Sequence, residues 1–195
     1  MITKLRYGNT NTYFVRGNQG GLLIDTDYAG TMQAFYKALK KSGISTTSIT
    51  YILATHYHPD HIGLVSELQK MGIKLLLINT QCDYVHFADA IFKWEKHLRY
   101  EPISEKNTTI IGCDESRDFL AVLGIAGEII QTASHSEDSI SVILDSGECM
   151  VGDLEPMEYL VAYEENIALQ NDWKLVMSYH PKVIYYAHAN EKYFV

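Results

Sequence analysis

Residues 55–63 read THYHPDHIG, which places three histidines and one aspartate, His56, His58, His61 and Asp60, within six positions. No other stretch limits the fold and chemistry of the chain so strongly. It follows an apolar run, ITYILAT, that reads as a strand, and leads into HIGLVSELQKMG, whose apolar spacing reads as a helix. Side chains at such a junction sit on a rigid frame and still face solvent. In an extended loop His56 and His58 point to one side, and Pro59 then forces a turn that re-aims Asp60 and His61. One loop can therefore offer two ligands to one metal ion and two to its neighbour. Imidazole nitrogen and carboxylate oxygen suit zinc, and also iron or manganese. A lone loop histidine is ordinarily a surface residue. Four such groups crowded together without a metal would serve no structural end.

The 195 residues suit a single domain over 1–195 with a sizeable core. A formal net charge of −8 makes nucleic acid and anionic membrane poor partners. Cys82, Cys113 and Cys149 are widely spaced, with no CxxC, and read as three buried thiols in a reducing cytoplasm. The opening MITKLRYGNT carries no secretory pattern, and no apolar run is long enough to span a bilayer. The expected setting is cytoplasmic.

Strands are predicted at 2–7, 12–17 and 20–27, punctuated by Gly8-Asn9, Gly17-Asn18 and Gly20-Gly21. A helix follows at 31–41, a strand at 49–54, a helix at 61–71 and a strand at 73–78. Residues 82–100 read as one longer aromatic helix, and 115–123 as a shorter one. Strands near 128–131, 139–144 and 149–151, a helix over 164–178 and a strand at 183–186 complete the chain, with Ser146-Gly147 as a turn. This order fits a layered α/β sandwich better than one doubly wound sheet.

The motif loop resembles the HxHxDH signature of the metallo-β-lactamase-fold hydrolases. Downstream landmarks of that family follow in order: TASHSEDSIS around His135, ISVILDSGECMVGD ending on Asp153, and VIYYAHANE around His188. The flanking residues depart from the family pattern, with Ala133-Ser134 before His135 and Ala187 and Ala189 around His188. The resemblance implies a four-layer αβ/βα sandwich. It also implies two divalent ions, zinc by preference with iron or manganese as the other choices. His56, His58 and His135 would hold the first ion, Asp60, His61 and His188 the second, and Asp153 would bridge them. Asp25, in LLIDTD, resembles the family's acid behind the motif loop; an ordinary turn aspartate is the competing reading.

The activity so implied is hydrolysis of a small intracellular ester, thioester or lactone by a hydroxide shared between the ions, with Asp60 orienting it and taking its proton. The chain has no GxSxG, Walker-type or GxGxxG motif. The alternatives are a mononuclear-iron oxidative enzyme on the same scaffold, a phosphodiesterase, and a metal-binding protein without turnover. The segment 82–104, set near the active site, brings Tyr84, Phe87, Phe92, Trp94 and Tyr100. Core packing is its favoured role, with a pocket wall or a homodimer contact as the others. His86, His97 and His180 match no ligand motif and read as bystanders.

Overall fold

The computed structural model describes residues 1–194. A first sheet holds β1 (Ile2–Arg6), β2 (Asn11–Arg16), β3 (Gly21–Ile24), β4 (Tyr51–Leu53), β5 (Lys74–Ile78) and β6 (Thr108–Ile111), side by side in chain order. The β1/β2 and β2/β3 pairs are antiparallel; β3 through β6 run parallel. The second sheet holds β7 (Gly127–Gln131), β8 (Ile140–Leu144), β9 (Glu148–Met150), β10 (Val183–Tyr185) and β11 (Lys192–Tyr193) in the order β11-β10-β9-β8-β7. There only β9/β10 is parallel. The helices are α1 (Met32–Lys41), α2 (Pro59–Ile62), α3 (Val65–Lys70), α4 (Asp89–Phe92), α5 (Ser116–Val122) and α6 (Ile167–Ser178).

Three apolar clusters define the layers. Between the sheets, Tyr13, Leu22, Leu53 and Leu76 from the first meet Ile129, Ile140, Val142 and Met150 from the second. On the outer face of the first sheet, Phe14, Leu23 and Ile52 pack with Phe35 and Leu39 of α1 and with Val65 and Leu68 of α3. On the outer face of the second, Ile143, Cys149 and Ile184 pack with Leu169, Trp173 and Val176 of α6. The result is the expected four-layer αβ/βα sandwich. Strands covered on both faces carry continuous apolar runs, as in LLI of β3 and YIL of β4.

Four expectations need correction. The helix read over 61–71 starts earlier, at Pro59, and breaks into α2 and α3. The break falls at Gly63 and Leu64, and at Gly63 a Cβ would lie 2.1 Å from the backbone nitrogen of Ala29. Only glycine lets the 27–29 loop press so closely on the motif turn. The single helix read over 82–100 is a 3-10 turn at Asn79–Tyr84, then α4, then a second 3-10 turn at Lys96–Leu98. Its buried residues Val85, Ala88 and Phe92 keep a helical spacing, which is what the sequence pattern detected. Arg99, at a φ of 53°, ends the run in the left-handed region. Strands β6 and β11 went unread, because β6 is an edge strand of mixed exposure without apolar alternation and β11 is two residues long. Of the cysteines only Cys149 is buried; Cys113 is half-buried and Cys82 exposed, and all three are unpaired. No helix among the described residues is long and apolar enough to cross a membrane.

Candidate metal centre

The motif loop leaves the C-terminal end of β4 and enters α2, with Pro59 at its first turn. The His58 carbonyl accepts from the His61 N–H at 3.0 Å, closing the turn. His135 lies in the loop between β7 and β8, Asp153 just after β9, and His188 just after β10. These residues cluster where strand ends of both sheets converge.

Two groups of donor atoms form. His58 Nδ1 stands 2.9 Å from His56 Nε2 and 3.3 Å from His135 Nε2. On the other side, Asp60 Oδ2 lies 3.1 Å from His188 Nε2 and 3.9 Å from His61 Nε2. Asp153 sits between the groups. Its Oδ2 faces His56 and His135 at 3.8 and 3.7 Å; its Oδ1 faces His61 and His188, both at 3.4 Å. The groups His56–His58–His135 and Asp60–His61–His188, and a third of His56, His61 and Asp153, each keep their donor atoms within 4.8 Å of one another. All seven residues singled out in the sequence are thus brought together. His86, His97 and His180 join none of these groups; His86 instead pairs with Asp89 at 2.9 Å.

The site has a closed floor and an open rim. His56 and His61 are buried, whereas the side chains of His135 and His188 are 27% and 39% exposed. Burial and the neighbouring imidazoles push His56 strongly below its ordinary pKa, and burial lowers His135. Both are therefore neutral and free to ligate. Burial opposes charge on Asp60 and Asp153 as well, yet the histidines around them hold each carboxyl down at about 2. For His61 burial also opposes charge, but Asp25 and Asp153 outweigh it and raise it to about 10. With both carboxylates ionised, a cation bound between them would displace the proton that His61 otherwise holds. His61 Nε2 and Asp153 Oδ1 are both buried with no hydrogen-bond partner, a costly pair of orphans in a bare protein. A cation between them satisfies both, so the donor set fits a divalent ion.

Supports behind the donors were only partly legible. Asp25 is buried at the end of β3 with φ at 58°, which aspartate tolerates better than most side chains. Its carboxylate receives the Thr55 N–H at 2.7 Å and lies 3.1 Å from His61 Nδ1. It is a turn aspartate that also orients a candidate ligand, so the two readings merge. Asp25→Asn keeps the left-handed backbone and removes the charge; metal affinity should drop about 10–100-fold, measured by chelator competition. An unchanged affinity would leave Asp25 a turn residue only.

Asp138 and Gln81 carry no motif and were missed. Asp138 Oδ2 accepts the Tyr57 N–H at 2.7 Å. Gln81 Nε2 donates to the carbonyls of Ala54 and Asp138 at 3.0 and 3.1 Å, stitching the motif loop to the His135 loop. The sole hint in sequence is a pair of polar residues in segments that the fold buries. Gly152, at a φ of 57°, lets the chain pass Thr55, whose Oγ1 would lie 2.5 Å from a Cβ there, and so sets Asp153 in place.

Segment 82–104 serves two roles. Phe92 is buried between Tyr28 and Tyr100, at ring separations of 5.0 and 4.1 Å. Phe87 instead stands half-exposed over the site, its ring 5.6 Å from that of His58. A cavity of about 290 Å³ opens beside the donors and is walled by Leu154, Pro156, Tyr159 and Tyr186.

This fold brings together a donor set that could hold metal ions. The metallo-beta-lactamase superfamily model matches residues 5–188, and the chain belongs to that superfamily. An atrochrysone carboxyl ACP thioesterase of Aspergillus fumigatus is 28% identical over 141 residues, covering 72% of this chain and 28% of that protein's length. The chain thus spans well under half of that relative. Among solved structures, the metallo-beta-lactamase family protein TTHA1429 from Thermus thermophilus superposes with a TM-score of 0.73 at 21% identity, covering 97% of this chain and 74% of the other. TTHA1623, solved in a di-iron-bound form, gives 0.69 at 17% identity, covering 99% and 94%. At such identities the likeness is one of fold.

Proposed function

We propose that this protein is a dinuclear metal-dependent hydrolase acting on a small ester, thioester or lactone. The observation that carries the reading is the split of Asp153, one oxygen toward His56 and His135 and the other toward His61 and His188. His56, His58 and His135 would hold one ion, Asp60, His61 and His188 the second, with Asp153 shared. Zinc suits this nitrogen-rich set, and iron or manganese also would. Bound there, the ions would supply Lewis-acid polarisation of a carbonyl and an activated water near neutral pH.

The chain's own groups do the rest. Asp60 accepts a hydrogen bond from the attacking water, orients it and takes its proton. The water oxygen bonds to the carbonyl carbon, the C–S or C–O bond breaks, and the departing thiol or alcohol takes up the proton. Phe87 beside His58 and Tyr159 on the cavity wall each offer an aromatic face to a bound substrate. The cavity suits a small molecule, and the kinship with a thioesterase favours an acyl substrate. A cytoplasmic setting is consistent with three unpaired cysteines.

Metal analysis tests the assignment. The protein as purified without chelator should hold two ions per chain. His135→Ala should lose chiefly the first ion and His188→Ala chiefly the second, read by elemental analysis and competition titration. Two variants that each still bind two ions tightly would sink the ligand partition. A screen of esters, thioesters, lactones and phosphodiesters on the loaded protein then tests the reaction class.

A further inference from the structure

Two cavities meet at His135. The first, of about 290 Å³, reaches His135, Asp153 and His188. The second, of about 190 Å³, runs away from the donors past Ser134, Tyr163 and Asn166. They share two walls, His135 and Glu155. Glu155 follows β9 by a few residues, and its backbone carbonyl is anchored by the Trp173 indole N–H at 2.9 Å. Its side chain is exposed and bears electrostatically on His135. Neither cavity is lined by any lysine or arginine. The second is walled mostly by polar groups: a serine, a tyrosine, an asparagine and the carboxylate. The Asn166 side-chain oxygen is already engaged by the Leu169 N–H at 3.0 Å, which leaves its amide hydrogens to donate and Glu155 as the charged acceptor.

We propose that Glu155 selects substrates by charge, admitting acyl compounds that carry an ammonium or a neutral polar terminus past His135 and rejecting those that carry a carboxylate. The proposal rests on the hydrolase reading and names the substrate class of that site. A carboxylate terminus in this channel would meet Glu155 with no lysine or arginine on either cavity wall to offset the repulsion. An ammonium would find one charged acceptor, on the wall the two cavities share. Charge discrimination of this kind acts by repulsion as much as by attraction.

The test uses metal-loaded protein and two sets of thioesters. In one set the departing thiol ends in an ammonium, an amide or a carboxylate; in the other the acyl end carries the same three termini. The larger ammonium-to-carboxylate ratio of kcat/KM should exceed about tenfold, fall on the order of tenfold in Glu155→Gln, and reverse in Glu155→Lys. Glu165→Gln, an exposed acid outside both cavities, should leave the ratio where it is. A ratio near one, a ratio that Glu155→Gln leaves unchanged, or an equal fall in Glu165→Gln would overturn the proposal. Should no thioester turn over, the thioester branch of the hydrolase reading fails and charge selection is read from binding alone. Thioether analogues with the three termini are then titrated by calorimetry. Tighter ammonium binding, weakened about tenfold by Glu155→Gln, supports the selection; equal or undetectable binding of all three overturns it.

Discussion

Asp60→Asn should lower kcat by about 10²–10⁴-fold while metal content changes far less. The substitution keeps an oxygen where Asp60 Oδ2 stands, 3.1 Å from His188 Nε2 and 3.9 Å from His61 Nε2. It removes the charge and the basicity that the proposed proton transfer needs. The Asp60 backbone is held independently, since its carbonyl accepts from Thr10 Oγ1 at 2.8 Å. A folding defect is therefore not expected, and single-turnover kinetics with metal analysis of the same sample separates the two effects. An Asp60→Asn protein that retains its ions and turns over normally would remove Asp60 from the chemistry.

Asp153→Ala should do more damage, because one change strips an oxygen from each donor group. Asp153 is the carboxylate common to all four facing imidazoles, at 3.4–3.8 Å. Its loss leaves His61 with Asp25 alone of the two carboxylates that raise its pKa, and removes the acceptor facing His56. Affinity for both ions should fall by more than the roughly 100-fold upper range seen when only a supporting residue is lost. Competition titration should show both binding steps weakened together. If one step weakened and the other stayed intact, Asp153 would belong to a single ion and the shared assignment would fail.

The candidate donors were legible as a cluster because metal chemistry concentrates rare residue types at short spacing. His56, His58, Asp60 and His61 announce themselves within six positions, and His135, Asp153 and His188 follow at the ends of recognisable strands. The layered fold was legible for a related reason: strands covered on both faces, such as β3 and β4, read as apolar runs. The supports were hidden. Gln81 and Asp138 act through single hydrogen bonds between loops far apart in sequence, and nothing in their own neighbourhood signals it. Segment 82–104 misled because Val85, Ala88 and Phe92 keep a helical period while the chain between turns aside to set Phe87 over His58. Strand β6 escaped because an edge position relaxes the demand for alternating burial.

The donors arrive from both sheets, and that division sets an order of events during synthesis. The 56–61 loop emerges first and can fold on the first sheet, whereas residues 135, 153 and 188 follow with the second. A growing chain that stops short of residue 135 owns a fragment of each donor group and lacks the carboxylate they share. On the proposed assignment, firm capture of an ion would wait until the second half of the chain has docked. An ion so held would pin the seam between halves, and its free concentration would enter the free energy of their union as a mass-action term. Starvation for the metal would thus loosen the join as well as silence the chemistry, and a chelator would sensitise the seam to proteases before it unfolds either sheet.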